Sequence, residues 1–307
     1  MRIKAVQSVI IMLRILILFL IAANAFINSA HAENVPRLPA GDFSELRRTG
    51  MTSVTAVIDP QTVQLEDGTI VRLAGLDFPD FNPDEPGDFS MTALQILRDM
   101  LVGKTVILYQ TANPEEGRVN RMGQNIAQLE RESDKAWVQG TLLSLGLARA
   151  RTARRNPEMA QEMYDLEQAA MKEKAGIWEK TAGVLTPEET EAYEGSFQIV
   201  EGRIESVALR QNRIYLNFGK DWKTDFTVSI APEDKRAFSK QNLDPLQWNG
   251  KQVRVRGWIE SYNGPYIQIT HPAAIEVKVD EKAAENAAQP SQLPSGDQLP
   301  KVRKEIH

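Results

Sequence analysis

The stretch from Val54 to Asp80, VTAVIDPQTVQLEDGTIVRLAGLDFPD, constrains the fold of this chain more than any other. Three short runs, Val54–Ile58, Gln61–Leu65 and Ile70–Ala74, are rich in β-branched and aliphatic residues. Between them lie Asp59-Pro60 and Asp67-Gly68. Proline presets φ and glycine tolerates φ > 0, so both pairs turn the chain and the whole reads as a three-stranded meander. Val63 and Leu65 share one face of the middle strand, as Val71 and Leu73 do in the next. Arg72 then projects from the opposite face, with Asp77 and Asp80 just past the strand end. One guanidinium and two carboxylates at the end of a small sheet suit gripping a metal and a phosphate, or simply form a surface ion pair.

The spacing of Val54, Val57, Asp59, Thr62, Val63, Val71, Arg72, Leu73, Gly75, Asp77 and Pro79 resembles the opening of the staphylococcal nuclease (thermonuclease) domain. Later segments resemble it too: Trp137-Val138-Gln139 through Gly146-Leu147-Ala148, then Glu167, Ala170, Lys174 and Gly176-Ile177-Trp178. The resemblance spans about 54–178 and implies a five-stranded OB-like barrel with three helices packed outside.

The chain has 307 residues, room for two domains, with 42% apolar and 25% charged residues as in ordinary globular proteins. A net charge of −5 argues against a chain-wide electrostatic grip on nucleic acid, so any such contact must be local. The absence of cysteine rules out disulfides, a thiolate nucleophile and cysteine-based zinc sites. The N-terminus reads as a secretory signal peptide over 1–32: Met1–Lys4 is basic, Val9–Phe26 is mostly apolar, and Ala30-His31-Ala32 fits a small-x-small cleavage site. An uncleaved membrane anchor is the alternative, disfavoured by Arg14 within the apolar run. The expectation is a periplasmic or secreted protein with no stable membrane insertion after cleavage.

Residues 33–50 read as a polar leader, 51–180 as the nuclease-like domain and 181–196 as an acidic linker. Ser90 is the expected cap of a first helix bearing Leu94, Leu97 and Leu101 on one face. Strands follow at Thr105–Tyr109 and Gly123–Leu129, then a second helix over Trp137–Leu147. Asn156-Pro157 supplies the expected start of a third helix with Met163, Leu166 and Ala170 as its buried stripe. Over 197–278, runs of short strands around an Asn263-Gly264 turn suggest a second small OB-like β-barrel. Residues 279–307 are Ala, Gln, Pro, Ser and charge, a composition that cannot bury a core and is expected to be disordered.

The resemblance implies Ca²⁺-dependent cleavage of DNA and RNA. Two Asp and a backbone carbonyl hold the cation, a Glu positions water, and two arginines stabilise the phosphoryl charge. Carried over residue by residue, Arg72, Asp77 and the Phe78 carbonyl match. Gln61 replaces a metal-binding Asp. Asp80 replaces the Glu and is shorter by a methylene, about 1.5 Å. Gln124, within Asn120-Arg121-Met122-Gly123-Gln124, replaces the second arginine, leaving Arg118 or Arg121 as substitutes. Any calcium site is therefore expected to be weak.

The aromatic pair expected to stack on bases falls on Thr152 and Arg154, inside a run that supplies the anion-binding candidates Arg149, Arg151, Arg154 and Arg155. Arg254 and Arg256 are further candidates beside the strand aromatics Tyr215, Phe218, Trp222, Trp258 and Tyr266, which are mostly core with one or two rings exposed for stacking single strands. Losing one phosphate-stabilising arginine costs on the order of 10³–10⁵ in rate. The sequence therefore points to an exported nuclease-like protein that binds nucleic acid, another polyanion or a protein partner with weak or no cleavage. An active calcium-dependent nuclease and an envelope scaffold are the alternatives.

Overall fold

The computed structural model describes residues 37–179, 183–221 and 223–278; the expected signal peptide, the 279–307 tail and Trp222 lie outside them. The meander forms as the turn chemistry requires. Strands β1 (Leu46–Asp59), β2 (Thr62–Leu65) and β3 (Ile70–Leu73) pair antiparallel in sequence order. Asp59 Oδ1 accepts from the Gln61 amide at 2.7 Å and Asp67 Oδ1 from the Thr69 amide at 2.9 Å, so each turn is closed by its own aspartate. Gly68 adopts φ +82°, the conformation a β-carbon would strain.

The chain continues through β4 (Leu76–Asp77), α1 (Asp88–Leu101), β5 (Thr105–Thr111), β6 (Asn125–Arg131), α2 (Val138–Ser144), β7 (Arg149–Ala150) and α3 (Ala160–Lys172). A parallel pairing of β3 with β6 and an antiparallel pairing of β1 with β5 close a barrel in the order β1-β2-β3-β6-β5. Inward residues Val54, Val63, Val71, Val106 and Leu129 are fully buried, and α1 adds Leu97, Met100 and Leu101. On the flank, the buried Gln139 of α2 accepts from the Leu129 amide and donates to the Ala127 carbonyl, pinning the helix to β6.

Several boundaries differ from the sequence reading. Residues 46–50, expected in a leader, extend β1 and pair with β5 from Leu46↔Thr111 onward. Phe43 is buried and stacks on Tyr109 at 4.2 Å. The first helix starts at Asp88 rather than after Ser90, and Asn156 caps nothing: its side chain donates to the Gly117 carbonyl while α3 starts after Met159. The buried face of α3 is Met163, Tyr164, Glu167 and Ala170, with Leu166 at its margin. A carboxylate in that stripe needs a buried cation, and the second unit supplies it.

The second unit comprises β8 (Phe197–Arg203), β9 (Ser206–Arg210), β10 (Arg213–Asn217), β11 (Thr227–Ile230), α4 (Lys235–Lys240), β12 (Gln252–Trp258), β13 (Glu260–Ser261), β14 (Pro265–Ile269) and β15 (Ile275–Val277). These strands make a five-stranded sheet, β13-β14-β11-β10-β9, and a three-stranded sheet, β15-β12-β8, rather than one continuous closed barrel. The core lies between the sheets: Val200, Val253 and Val255 from one, Leu216, Val228 and Ile267 from the other. Asn263 and Gly264 turn the β13–β14 hairpin at φ +52° and +91°. The expected linker is ordered in its described part. Leu185 bonds Ile199, and Pro187–Tyr193 forms a 3-10 segment with a Thr186–Glu189 capping box.

Candidate functional site

Arg72 stands on β3 with its side chain away from the barrel core, as the alternation of a strand demands. Its Nη2 donates to Gln61 Oε1 across the β2–β3 pair. Among the described residues no carboxylate lies within ion-pairing distance of Arg72. Burial lowers the Arg72 guanidinium from its usual value, Asp59 opposes this, and the charge of Arg151 adds to it.

Asp77 ends β4, which pairs with β7 so that Asp77 sits opposite Arg149. Asp77 Oδ2 accepts from Arg149 Nε at 3.0 Å and Nη2 at 2.7 Å. Its other oxygen faces Arg151 at 3.6 Å. Both members of the Asp77–Arg149 pair are nearly buried, at 13% and 8% side-chain exposure. The same guanidinium donates to the Phe197 carbonyl at 2.7 Å and to Gln198 Oε1 at 3.1 Å, so it ties the barrel to β8 of the second unit.

The other expected site residues do not converge on Asp77. Asp80 turns its carboxylate onto the start of α1, accepting from the amides of Phe89 at 2.9 Å and Ser90 at 3.3 Å and from the Ser90 hydroxyl. A β-carbon on Gly87 would meet that carboxylate at 2.3 Å, which is why glycine precedes the helix. Phe78 is buried and its carbonyl accepts from the Phe81 amide. Gln124 Oε1 takes the Asn120 side-chain amide at 2.7 Å within its own turn. Arg118, one of the two expected substitutes, donates to the carbonyls of Thr111 and Ala112. Among the described residues no group of three or more His, Asp or Glu side chains stands together as a metal-holding cluster.

The barrel and its outer helices agree with a comparison to known families. Residues 70–180 match the family model described as Staphylococcal nuclease homologue. The chain carries a staphylococcal nuclease-like domain. The match covers about a third of the chain and begins at β3, so β1 and β2, with Gln61, join the domain through the closed barrel rather than through the match. No curated protein matches the chain.

In the nuclease-like domain and its neighbour, most of the arginines expected to bind anions face a carboxylate. Arg154 pairs with Asp234 at 3.2 Å and Arg155 with Glu116 at 3.2 Å. Arg254 pairs with Glu201 at 2.8 Å. Arg256, expected on an accessible strand face, is buried: its Nη1 lies 2.6 Å from Glu167 Oε2, its Nη2 3.2 Å from Glu276, and its guanidinium covers the Tyr164 ring at 4.0 Å. Burial pushes the Glu167 carboxyl above its usual range and Arg256 opposes that. A strand arginine beside a buried helical carboxylate is a structural cation, not a docking one.

Arg151 differs. Its side chain is 43% exposed, and its carboxylate neighbour, Asp77, is already held by Arg149. It lies over the rings of Phe197 at 5.1 Å and Trp258 at 5.8 Å. Sequence reasoning missed the Asp77–Arg149, Glu167–Arg256 and Thr152–His271 contacts, the last at 2.9 Å. Each joins residues 72 or more positions apart. The one local signal was a charged Glu167 inside the apolar period of α3.

Proposed function

We propose that this is an exported protein whose nuclease-like domain binds nucleic acid without efficient phosphodiester cleavage. The observation that carries the reading is Asp77: the carboxylate at the position where the family holds calcium is gripped by two nitrogens of Arg149. Gln61 offers a neutral oxygen already taken by Arg72, the Phe78 carbonyl closes a turn, and Asp80 caps a helix. Hard Ca²⁺ requires six to eight oxygen ligands with clustered negative charge, and this donor set does not fit it. The second phosphate-clamping arginine is Gln124, a loss that by itself lowers the rate by roughly 10³–10⁵. Export is supported by the basic, apolar and Ala-x-Ala pattern of the first 32 residues.

The purified protein, incubated with dye-quenched single-stranded DNA and RNA at millimolar calcium, is expected to leave both intact. Brisk cleavage that stops on adding EGTA overturns the proposal.

A further inference from the structure

Phe197 opens β8 and Trp258 closes β12, and the two are register partners at one end of the three-stranded sheet. That sheet end lies against the mouth of the nuclease-like domain, because Arg149 bonds Asp77 on one side and Phe197 and Gln198 on the other. Trp258 is 48% exposed, and on the next hairpin Tyr262 is 65% exposed. Arg151 lies over Trp258 and Phe197, and its backbone amide donates to the Gly75 carbonyl, which places it just past the end of the strand that carries Arg72. Arg72 and Arg151 are thus two guanidiniums at one site, one with an amide for its partner and the other with a shared carboxylate. Burial is the main cause of the lowered Arg72 guanidinium, and the charge of Arg151 adds to it.

We infer that Arg72, Arg151 and Trp258 form a composite site, contributed by both units, for one or two nucleotides of single-stranded nucleic acid. The unpaired base stacks on the open face of Trp258, and the adjoining phosphate lies between the guanidiniums. A half-exposed indole edged by a cation stacks any unpaired base, whereas bases within a duplex already stack on one another. Arg154, Arg254 and Arg256 are neutralised by carboxylates, so the footprint is short and the salt dependence shallow. This inference rests on the reading of a binding, non-cleaving protein, and it makes the second unit part of the site rather than an appendage.

Fluorescence anisotropy of a labelled oligo-dT titrated with the full protein tests it. Trp258→Ala is expected to weaken binding by at least about 5-fold, the effect of losing one stacking partner. Arg151→Gln is expected to reduce the slope of log affinity against log salt by about 0.7, one phosphate contact on a single strand. Leu209→Ala, an exposed side chain on the edge strand β9 of the other sheet, is expected to change neither. Binding that is equal for duplex and single strand, or unaltered by Trp258→Ala and Arg151→Gln, or absent at low salt, overturns the composite site. Equal duplex binding or insensitivity to both variants sinks the composite site and leaves the functional reading standing, whereas no binding at low salt defeats that reading's binding half and chelator-sensitive cleavage its non-cleaving half.

Discussion

Asp80, where the resemblance leads one to expect a catalytic acid, directs its carboxylate at a helix. The carboxylate accepts from two amides and a hydroxyl at the first turn of α1, where unpaired donors and the positive end of the helix favour a negative charge. It acts as a cap supplied from a loop well before the helix's own boundary residue, Gly87. Asp80→Ala is therefore expected to lower stability by about 1–2 kcal/mol, read as a reduced urea midpoint. A midpoint equal to wild type would show that these bonds are replaced by water without loss. In sequence, Asp80 was recognisable as an acid at a nuclease position. Its partner was not, because nothing in Phe89-Ser90 announces which carboxylate their amides meet.

Among elements, α3 and β12 depend on each other. Helical periodicity made Met163 and Ala170 legible as core, but it could not show how a carboxylate at 167 is tolerated in the same face. β12 answers with Arg256, placed by strand alternation so that its side chain turns into the seam. Glu167 also accepts from the Ala150 amide at 2.8 Å, so the helix, β7 and β12 share one buried charge pair. Removing only the cation leaves the carboxylate uncompensated. Arg256→Met is expected to cost about 3–5 kcal/mol in chemical denaturation, and Glu167→Gln in the same protein to recover much of that. Additive losses in the double variant would contradict a coupled pair.

At the scale of the molecule, the two units meet along a polar seam. Arg149 holds Phe197 and Gln198, Tyr164 donates to the Ala273 carbonyl, Arg154 pairs with Asp234, and Thr152 meets His271. His271 is buried, and burial lowers its pKa from 6.5 to about 4. Its ring is flanked by the hydroxyls of Thr152 and Thr270. The folded state therefore favours neutral histidine. Its contribution to stability is complete above about pH 6.5 and is lost as the pH falls toward 4, amounting to about 3 kcal/mol over that interval. Thermal melts of wild type and His271→Gln are expected to diverge in slope across this window, with the variant flatter. Parallel curves would mean that the imidazole takes up its proton at the same pH in the folded and unfolded states.

The sequence by itself determined the meander, because alternation and turn residues act over a few residues at a time. The spacing of its motifs carried the resemblance that implied the closed barrel with its outer helices and the substitutions at Gln61, Asp80 and Gln124. The second unit was legible as short strands but not as two facing sheets, since strand order depends on which edges meet. What the retained charges now do was decided only in three dimensions. Asp77, Glu167 and Arg256 are neutralised by partners 72 or more residues away, and Coulomb attraction depends on distance in space rather than along the chain.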